Sequence, residues 1–200
     1  MLRFNMLVTV IFIVLYIPYF ILMIRKKYSI EKVIFNITFY IYFLFVLRFT
    51  LFPIYLQKEL IEDERAFYNG EPFLNIIPFN TIKEVFTTYG AAGFESTIFQ
   101  TCGNLIMLIP FGFLLPLIFS KKFNFKNMLF ISFLFSFSIE LIQFVQNSAY
   151  GFLSRFSDID DIILNTLGAL IGFTVYKVFE PLINRFIIKK SLYIKSDTQI

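Results

Sequence analysis

Two short stretches concentrate the side chains able to do chemistry. Ser138-Ile-Glu-Leu-Ile-Gln143 places Glu140 and Gln143 in apolar surroundings, and Ser157-Asp-Ile-Asp-Asp161 places three carboxylates at the start of another apolar run. Arg48, Asn104 and Asn165 stand alone in similar surroundings. A carboxylate such as Glu140 can act as a general base. Asp158 and Asp161 could hold a divalent cation through oxygen ligands, although nothing in the chain requires a resident cofactor. Arg48 could grip a phosphate or carboxylate in a two-pronged contact, and the amides offer both donors and acceptors. The candidate ligand-binding set is therefore Arg48, Asn104, Glu140, Gln143, Asp158, Asp161 and Asn165, with Glu140 the candidate catalytic group.

Spacing ties these residues together. Ser136, Glu140, Gln143 and Asn147 follow i, i+4, i+7, i+11, which makes one stripe on a helix. Asp161, Asn165, Gly168 and Gly172 repeat the same intervals. Gly168-Ala-Leu-Ile-Gly172 is also a GxxxG, which permits close helix approach. The expectation is that the fourth and fifth apolar segments pack at these glycines and open their polar stripes into one pocket.

Other chemistry is excluded. The chain has no His and one Cys, Cys102. Ser–His triads, His-ligated zinc, an intrachain disulfide and CxxC redox chemistry are all ruled out. With no Trp, an interfacial aromatic belt must come from 11 Tyr and 30 Phe.

The elements that must position these groups are membrane helices. Hydrophobic residues form 58% of the 200 residues and charged residues 16%, with a mean hydropathy of +0.72. That is too much apolar surface for a water-soluble sphere of this size. Five segments reach the roughly 20 residues a spanning helix needs: about Met6–Ile24, Val33–Phe52, Ile98–Phe119, Met128–Val145 and Ile162–Phe179. The first, followed at once by Arg25, Lys26 and Lys27, reads as a retained anchor rather than a cleaved signal. The fold expected is an all-α, polytopic bundle of five transmembrane helices.

Charge sets the expected orientation. Arg25, Lys26, Lys27, Lys32, Lys121, Lys122, Lys126, Lys177, Arg185, Lys189, Lys190 and Lys195 fall on alternate loops and the tail, 12 of the 18 basic residues. The loops 53–97 and 146–161 carry ten acids against Lys58, Arg65, Lys83 and Arg155. The positive-inside rule puts the first set in the cytoplasm, so the N-terminus lies outside and the C-terminus inside. The organisation expected is an anchor helix with a cytoplasmic loop (1–32), a membrane domain (33–180) with a long outer loop (53–97), and a cytoplasmic tail (181–200). Within that tail, Pro181–Tyr193 mixes apolar and basic residues in the manner of an interfacial helix. Ile77, Ile82, Val85 and Phe86 suggest a short amphipathic piece in the outer loop, either on the membrane surface or capping the bundle.

Each candidate also has a purely architectural role open to it. Arg48 and Glu140 could form a buried ion pair that sets helix register. Asp158 and Asp160 could cap a helix N-terminus, as could Ser157. Asn104 and Asn165 could bond neighbouring helices. Pro110 and Pro116 kink the third segment and either widen the pocket or only shape the bundle.

Five pieces in order resemble the VanZ-like family of teicoplanin-resistance membrane proteins. They are Arg48-Phe-Thr-Leu-Phe-Pro53, Asn75-Ile-Ile-Pro-Phe79, Gly103-Asn-Leu-Ile-Met-Leu-Ile-Pro-Phe-Gly-Phe113, Ser138–Gln143 and Asp158-Ile-Asp-Asp-Ile-Ile-Leu-Asn-Thr-Leu-Gly168. The resemblance covers about Val33 to Phe179. It implies a multi-pass protein of the bacterial cell membrane associated with low-level resistance to lipoglycopeptides. Two functions are then expected as alternatives. One is recognition of an amphiphile, either the lipoglycopeptide or a lipid-linked cell-wall precursor, in an outward-facing pocket. The other is a membrane enzyme acting on such a precursor or on a phospholipid head group. The partners expected are membrane lipids and one of those amphiphiles, with no nucleic acid. A transporter is disfavoured by the lack of an inverted repeat and of charge in the inner halves of the spans.

Overall fold

The computed structural model describes residues 1–67, 74–80, 83, 90–119 and 123–197, with the side chains of 90–97 and 186–197 left out. Helices dominate: α1 Met6–Arg25, α2 Ile30–Leu51, α3 Lys58–Phe67, α4 Gly90–Met107, α5 Ile109–Ile118, α6 Phe125–Tyr150 and α7 Ile159–Asp197. Two two-residue strands, β1 Leu74–Asn75 and β2 Ser157–Asp158, pair in parallel. Five segments are long and apolar enough to cross a membrane: Met6–Arg25, Ile30–Leu51, Ile98–Ile118, Phe125–Tyr150 and Ile159–Arg185.

Local chemistry sets the helix ends. Side chains of Asn5, Ser29 and Asn124 accept from backbone N–H groups three residues on, capping α1, α2 and α6. Gly151, with φ +71°, ends α6 in the left-handed conformation that glycine adopts freely. The third span is two helices, α4 and α5, broken at Leu108. Pro110 stands in the first turn of α5, where its missing N–H loses nothing. The Tyr42 hydroxyl donates to the Met107 carbonyl beside the break at 2.9 Å. The fifth span continues as one helix through Pro181 to Asp197, so the stretch Pro181–Tyr193 is helical and continuous with α7.

Most apolar side chains on the outer faces of these helices are exposed, Ile11, Val14 and Leu15 on α1 among them. That suits helices solvated by lipid, where every backbone group is satisfied within the helix. In that medium packing and hydrogen bonds hold the bundle together. Leu108, Phe111, Leu115, Met128, Ala169 and Phe173 form its core, with Phe111 stacked on Phe135 at 4.7 Å.

The glycines of α7 do not pack where the sequence placed them. A Cβ on Gly168 would collide with the Leu105 carbonyl, and one on Gly172 with the Ile109 carbonyl. Gly112 meets the Ala169 carbonyl in the same way. The small-residue seam therefore joins the fifth span to the third, not to the fourth. The backbone of Ala169 and Phe173 meets Gly112 of α5, while the Phe173 ring also packs edge-on against Phe125 of α6, 4.9 Å between centroids.

Several chain segments gather at one end of the bundle. Leu2 and Ile54 exchange backbone hydrogen bonds. Arg65 of α3 donates through Nε and Nη2 to the Tyr150 carbonyl at the end of α6, at 3.1 and 2.7 Å. A cation there also meets the negative end of the helix dipole. β1 lies against β2. The amphipathic piece expected around Ile82, Val85 and Phe86 lies outside the described residues.

Candidate functional site

The C-terminus of α2 shows why this end is polar. Pro53 forces the preceding Phe52 into extended backbone, so the last carbonyls of α2 have no helical partner. Side chains from elsewhere fill that need. Gln143 Nε2 donates to Thr50 O at 2.8 Å, Gln146 Nε2 to Leu51 O at 3.2 Å and Arg155 Nη2 to Phe52 O at 2.6 Å. Arg155 is fixed in turn by Asn147, whose Oδ1 accepts from Ser154 N and Arg155 N. Burial pulls the Arg155 guanidinium below its ordinary pKa.

The start of α7 has the opposite need, free N–H groups and a positive dipole end. Glu140 Oε2 accepts from Asp158 N at 3.1 Å, and Ser157 Oγ donates to the Glu140 carbonyl at 3.0 Å. Asp158 Oδ1 accepts from Asp160 N at 2.9 Å and from Asn75 Nδ2 at 3.2 Å. Asp160 Oδ1 accepts from Phe79 N at 2.6 Å. Asn75-Ile-Ile-Pro-Phe79 thus sits clamped on Asp158-Ile-Asp160.

Between these two helix ends lies a chamber of about 1060 Å³. Its polar lining includes Gln100, Asn104, Glu140, Gln143, Arg155, Asp161 and Asn165, and its apolar wall includes Tyr42, Phe45, Phe49, Ile106 and Met107. The α6 stripe is buried along its whole length: Ser136, Glu140, Gln143 and Asn147 are all inside. Several lining groups lack partners. Gln143 Oε1 and Asn165 Oδ1 are buried without a hydrogen bond, in residues only 7% and 1% exposed, while the Asn104 side chain faces the Asp161 carboxylate. Glu140 and Asp161 lie close enough to repel each other, with Asp158 adding to both. The ion pairs among the described residues are Lys58–Glu62 and Lys177–Glu180, so no Lys or Arg neutralises either acid within 4 Å.

Five of the seven candidates from the sequence, Asn104, Glu140, Gln143, Asp161 and Asn165, therefore line one chamber. Two do not. Arg48 is exposed on α2, its guanidinium 5.8 Å from the Phe49 ring, and it forms no ion pair with Glu140. A long side chain of this kind can lay its stem on apolar surface while its charged head reaches a polar medium. Asp158 is 2% exposed and turned towards Asn75. One oxygen of Asp158, Oδ1, accepts both the Asn75 and the Asp160 hydrogen bonds. No group of three or more Asp, Glu or Cys positioned to hold a metal occurs among the described residues.

Arg155 is the residue that sequence reading passed over. In the sequence it is one of four bases in the acidic loops, and its signal is local: it stands three residues before Asp158.

Among the described residues, five helices long and apolar enough to span a bilayer, with polar groups gathered in a chamber at one end, define a multi-pass membrane protein. The chain belongs to the VanZ/LLP1 family, whose model matches residues 39–180. That family is associated with teicoplanin resistance. No curated protein and no solved structure matches the sequence.

Proposed function

We propose that the chamber recognises the polar part of an amphiphile whose tail stays in lipid, and that it does so at the outer face of a bacterial cell membrane. A lipoglycopeptide of the teicoplanin type, or the lipid-linked cell-wall precursor, supplies such a ligand. The observation that carries this reading is the pair of buried, unpartnered amide oxygens of Gln143 and Asn165 beside the Glu140 and Asp161 carboxylates, which form no ion pair among the described residues. An unsatisfied buried polar atom costs about 1–3 kcal/mol. A ligand with matching donors and acceptors would repay that cost on binding. A wall of Tyr42, Phe45, Phe49 and Ile106 beside a few convergent polar groups is the usual make-up of a small-molecule site.

The test is resistance in cells expressing Glu140→Gln, with membrane levels matched to the parent. Loss of resistance is expected. Full resistance in a well-expressed variant would overturn the reading.

The adjacency of Glu140 and Asp161 also supports a second reading, in which Glu140 removes a proton from a lipid head group. Turnover of a lipid-linked precursor by purified protein, lost in Glu140→Gln, would favour it over recognition alone. Unchanged lipid profiles after deletion would sink it.

A further inference from the structure

We infer that the chamber is entered sideways from the bilayer, between α2 and α4, and that the head group it takes carries a primary ammonium. The inference rests on the chamber being a recognition site, and deepens that reading by naming the route and the ligand chemistry.

The route follows from the exposure of the lining. Phe45 and Phe49 of α2 are 53% and 61% exposed, and Phe99 and Ile106 of α4 are 83% and 61% exposed, yet all four line the chamber. All four lie within segments long and apolar enough to span the membrane. The medium at this rim is therefore acyl chain, and the occupant that fits it is an acyl-chain amphiphile. Such a molecule leaves its tail between α2 and α4 and passes only its head inward. Gly103 marks the same gap. It lines the chamber, and a Cβ there would meet nothing within 4 Å. A glycine inside a helix costs roughly 0.5–1 kcal/mol relative to Ala, and no neighbour requires one here. Its effect is to keep the mouth wide.

The head-group chemistry follows from the interior. Gln143 has its amide orientation fixed by donation to Thr50 O, so its unpartnered atom is an acceptor, Oε1. Asn165 likewise offers Oδ1. Glu140 and Asp161 add carboxylate oxygens that form no ion pair among the described residues. A ligand that satisfies this lining brings positive charge and several N–H donors together. A primary ammonium supplies three donors and one charge, whereas a quaternary ammonium supplies the charge alone. Arg155, on the same lining, is placed for the anionic part of the head.

Cys102, the single cysteine, is exposed and lines the mouth, which makes it a reporter. The experiment uses the purified full chain in phosphatidylglycerol nanodiscs containing an equal share of either phosphatidylethanolamine or phosphatidylcholine with the same acyl chains. The rate of Cys102 alkylation by N-ethylmaleimide is read by mass spectrometry. Both zwitterions carry a phosphate and a cation, and phosphatidylethanolamine alone carries ammonium N–H donors. Alkylation is expected to be roughly tenfold slower with phosphatidylethanolamine, the worth of one charge-assisted hydrogen bond. Asp161→Asn should abolish the difference. So should Gly103→Leu, which fills open space and raises helix propensity, so that a folding defect does not confuse the result. Equal rates in the two zwitterions overturn the ammonium inference. A difference that survives Gly103→Leu overturns the lateral route. Resistance retained by Glu140→Gln is a separate result and counts against the recognition reading itself.

Discussion

Glu140 Oε2 lies 3.1 Å from the backbone nitrogen of Asp158, so a carboxylate from the fourth span caps the start of the fifth. With the Ser157 Oγ bond to the Glu140 carbonyl, it ties the α6 stripe to the residues that lead into α7. It also means that Glu140 carries an architectural role and a candidate ligand role at once, and these can be separated.

Glu140→Ala removes the acceptor and leaves a buried N–H unpaired. It should cost about 1–3 kcal/mol, read as a lowered Tm of the detergent-solubilised protein. Glu140→Gln keeps an acceptor oxygen at the same reach, so its Tm should stay closer to the parent. If the negative charge matters to the ligand, both variants lose resistance to a similar degree despite their different stabilities.

The glycines divide into two kinds, and alanine substitution should tell them apart. At Gly112, Gly168 and Gly172 a new Cβ meets a backbone carbonyl, which no side-chain rotation can relieve. The helices must separate, and overpacking of this sort costs about 1–3 kcal/mol or more. Gly168→Ala and Gly172→Ala should accumulate poorly in membranes and show a reduced Tm. Gly103→Ala should instead be neutral or stabilising by up to about 1 kcal/mol, since the space beside it is open.

The sequence made some of this readable and hid the rest for physical reasons. The spans follow from composition, because a lipid-solvated helix must be apolar over its whole length. The inward stripe of Ser136, Glu140, Gln143 and Asn147 follows from helical periodicity, and all four are buried. Periodicity gives a face without naming the neighbour on it, so the GxxxG of α7 was assigned to the fourth span when its partners are Leu105 and Ile109 of the third. Arg48 is apolar-flanked in sequence just as Glu140 is, but a long side chain can carry its charge along the lipid face, and no pattern of spacing reveals that. Arg155 lies in a loop, where position depends on the tertiary bonds made by Asn147 and Phe52.

The loop 74–80 is held by hydrogen bonds to the α7 cap, which gives a local prediction. Asp160 Oδ1 accepts from Phe79 N at 2.6 Å, and Asp158 Oδ1 accepts from Asn75 Nδ2. Asp160→Ala should free the Phe79 amide and raise its hydrogen-exchange rate, with a smaller effect at helical amides of α6. Uniform exchange across the protein would indicate instead that the substitution had loosened the whole bundle.

The direction in which the chamber faces can be tested without reference to any ligand. Leu2 bonds to Ile54, Arg65 to Tyr150 and Asn75 to Asp158, so the N-terminus, the loop after α2 and the loop before α7 occupy one end of the bundle. Arg25, Lys26 and Lys27, at and just beyond the far end of α1, then fall at the opposite end, and the positive-inside rule assigns that end to the cytoplasm. In a Cys102→Ala background, Glu62→Cys marks the chamber end and Lys26→Cys the other. Both positions are exposed, and the Lys58–Glu62 surface pair broken by the first is worth little. A membrane-impermeant maleimide added to intact cells should label Glu62→Cys and leave Lys26→Cys unmodified until the cells are lysed. The reverse pattern would turn the acidic loops inward. An amphiphile of the outer leaflet could then no longer be the ligand, whatever the chamber binds.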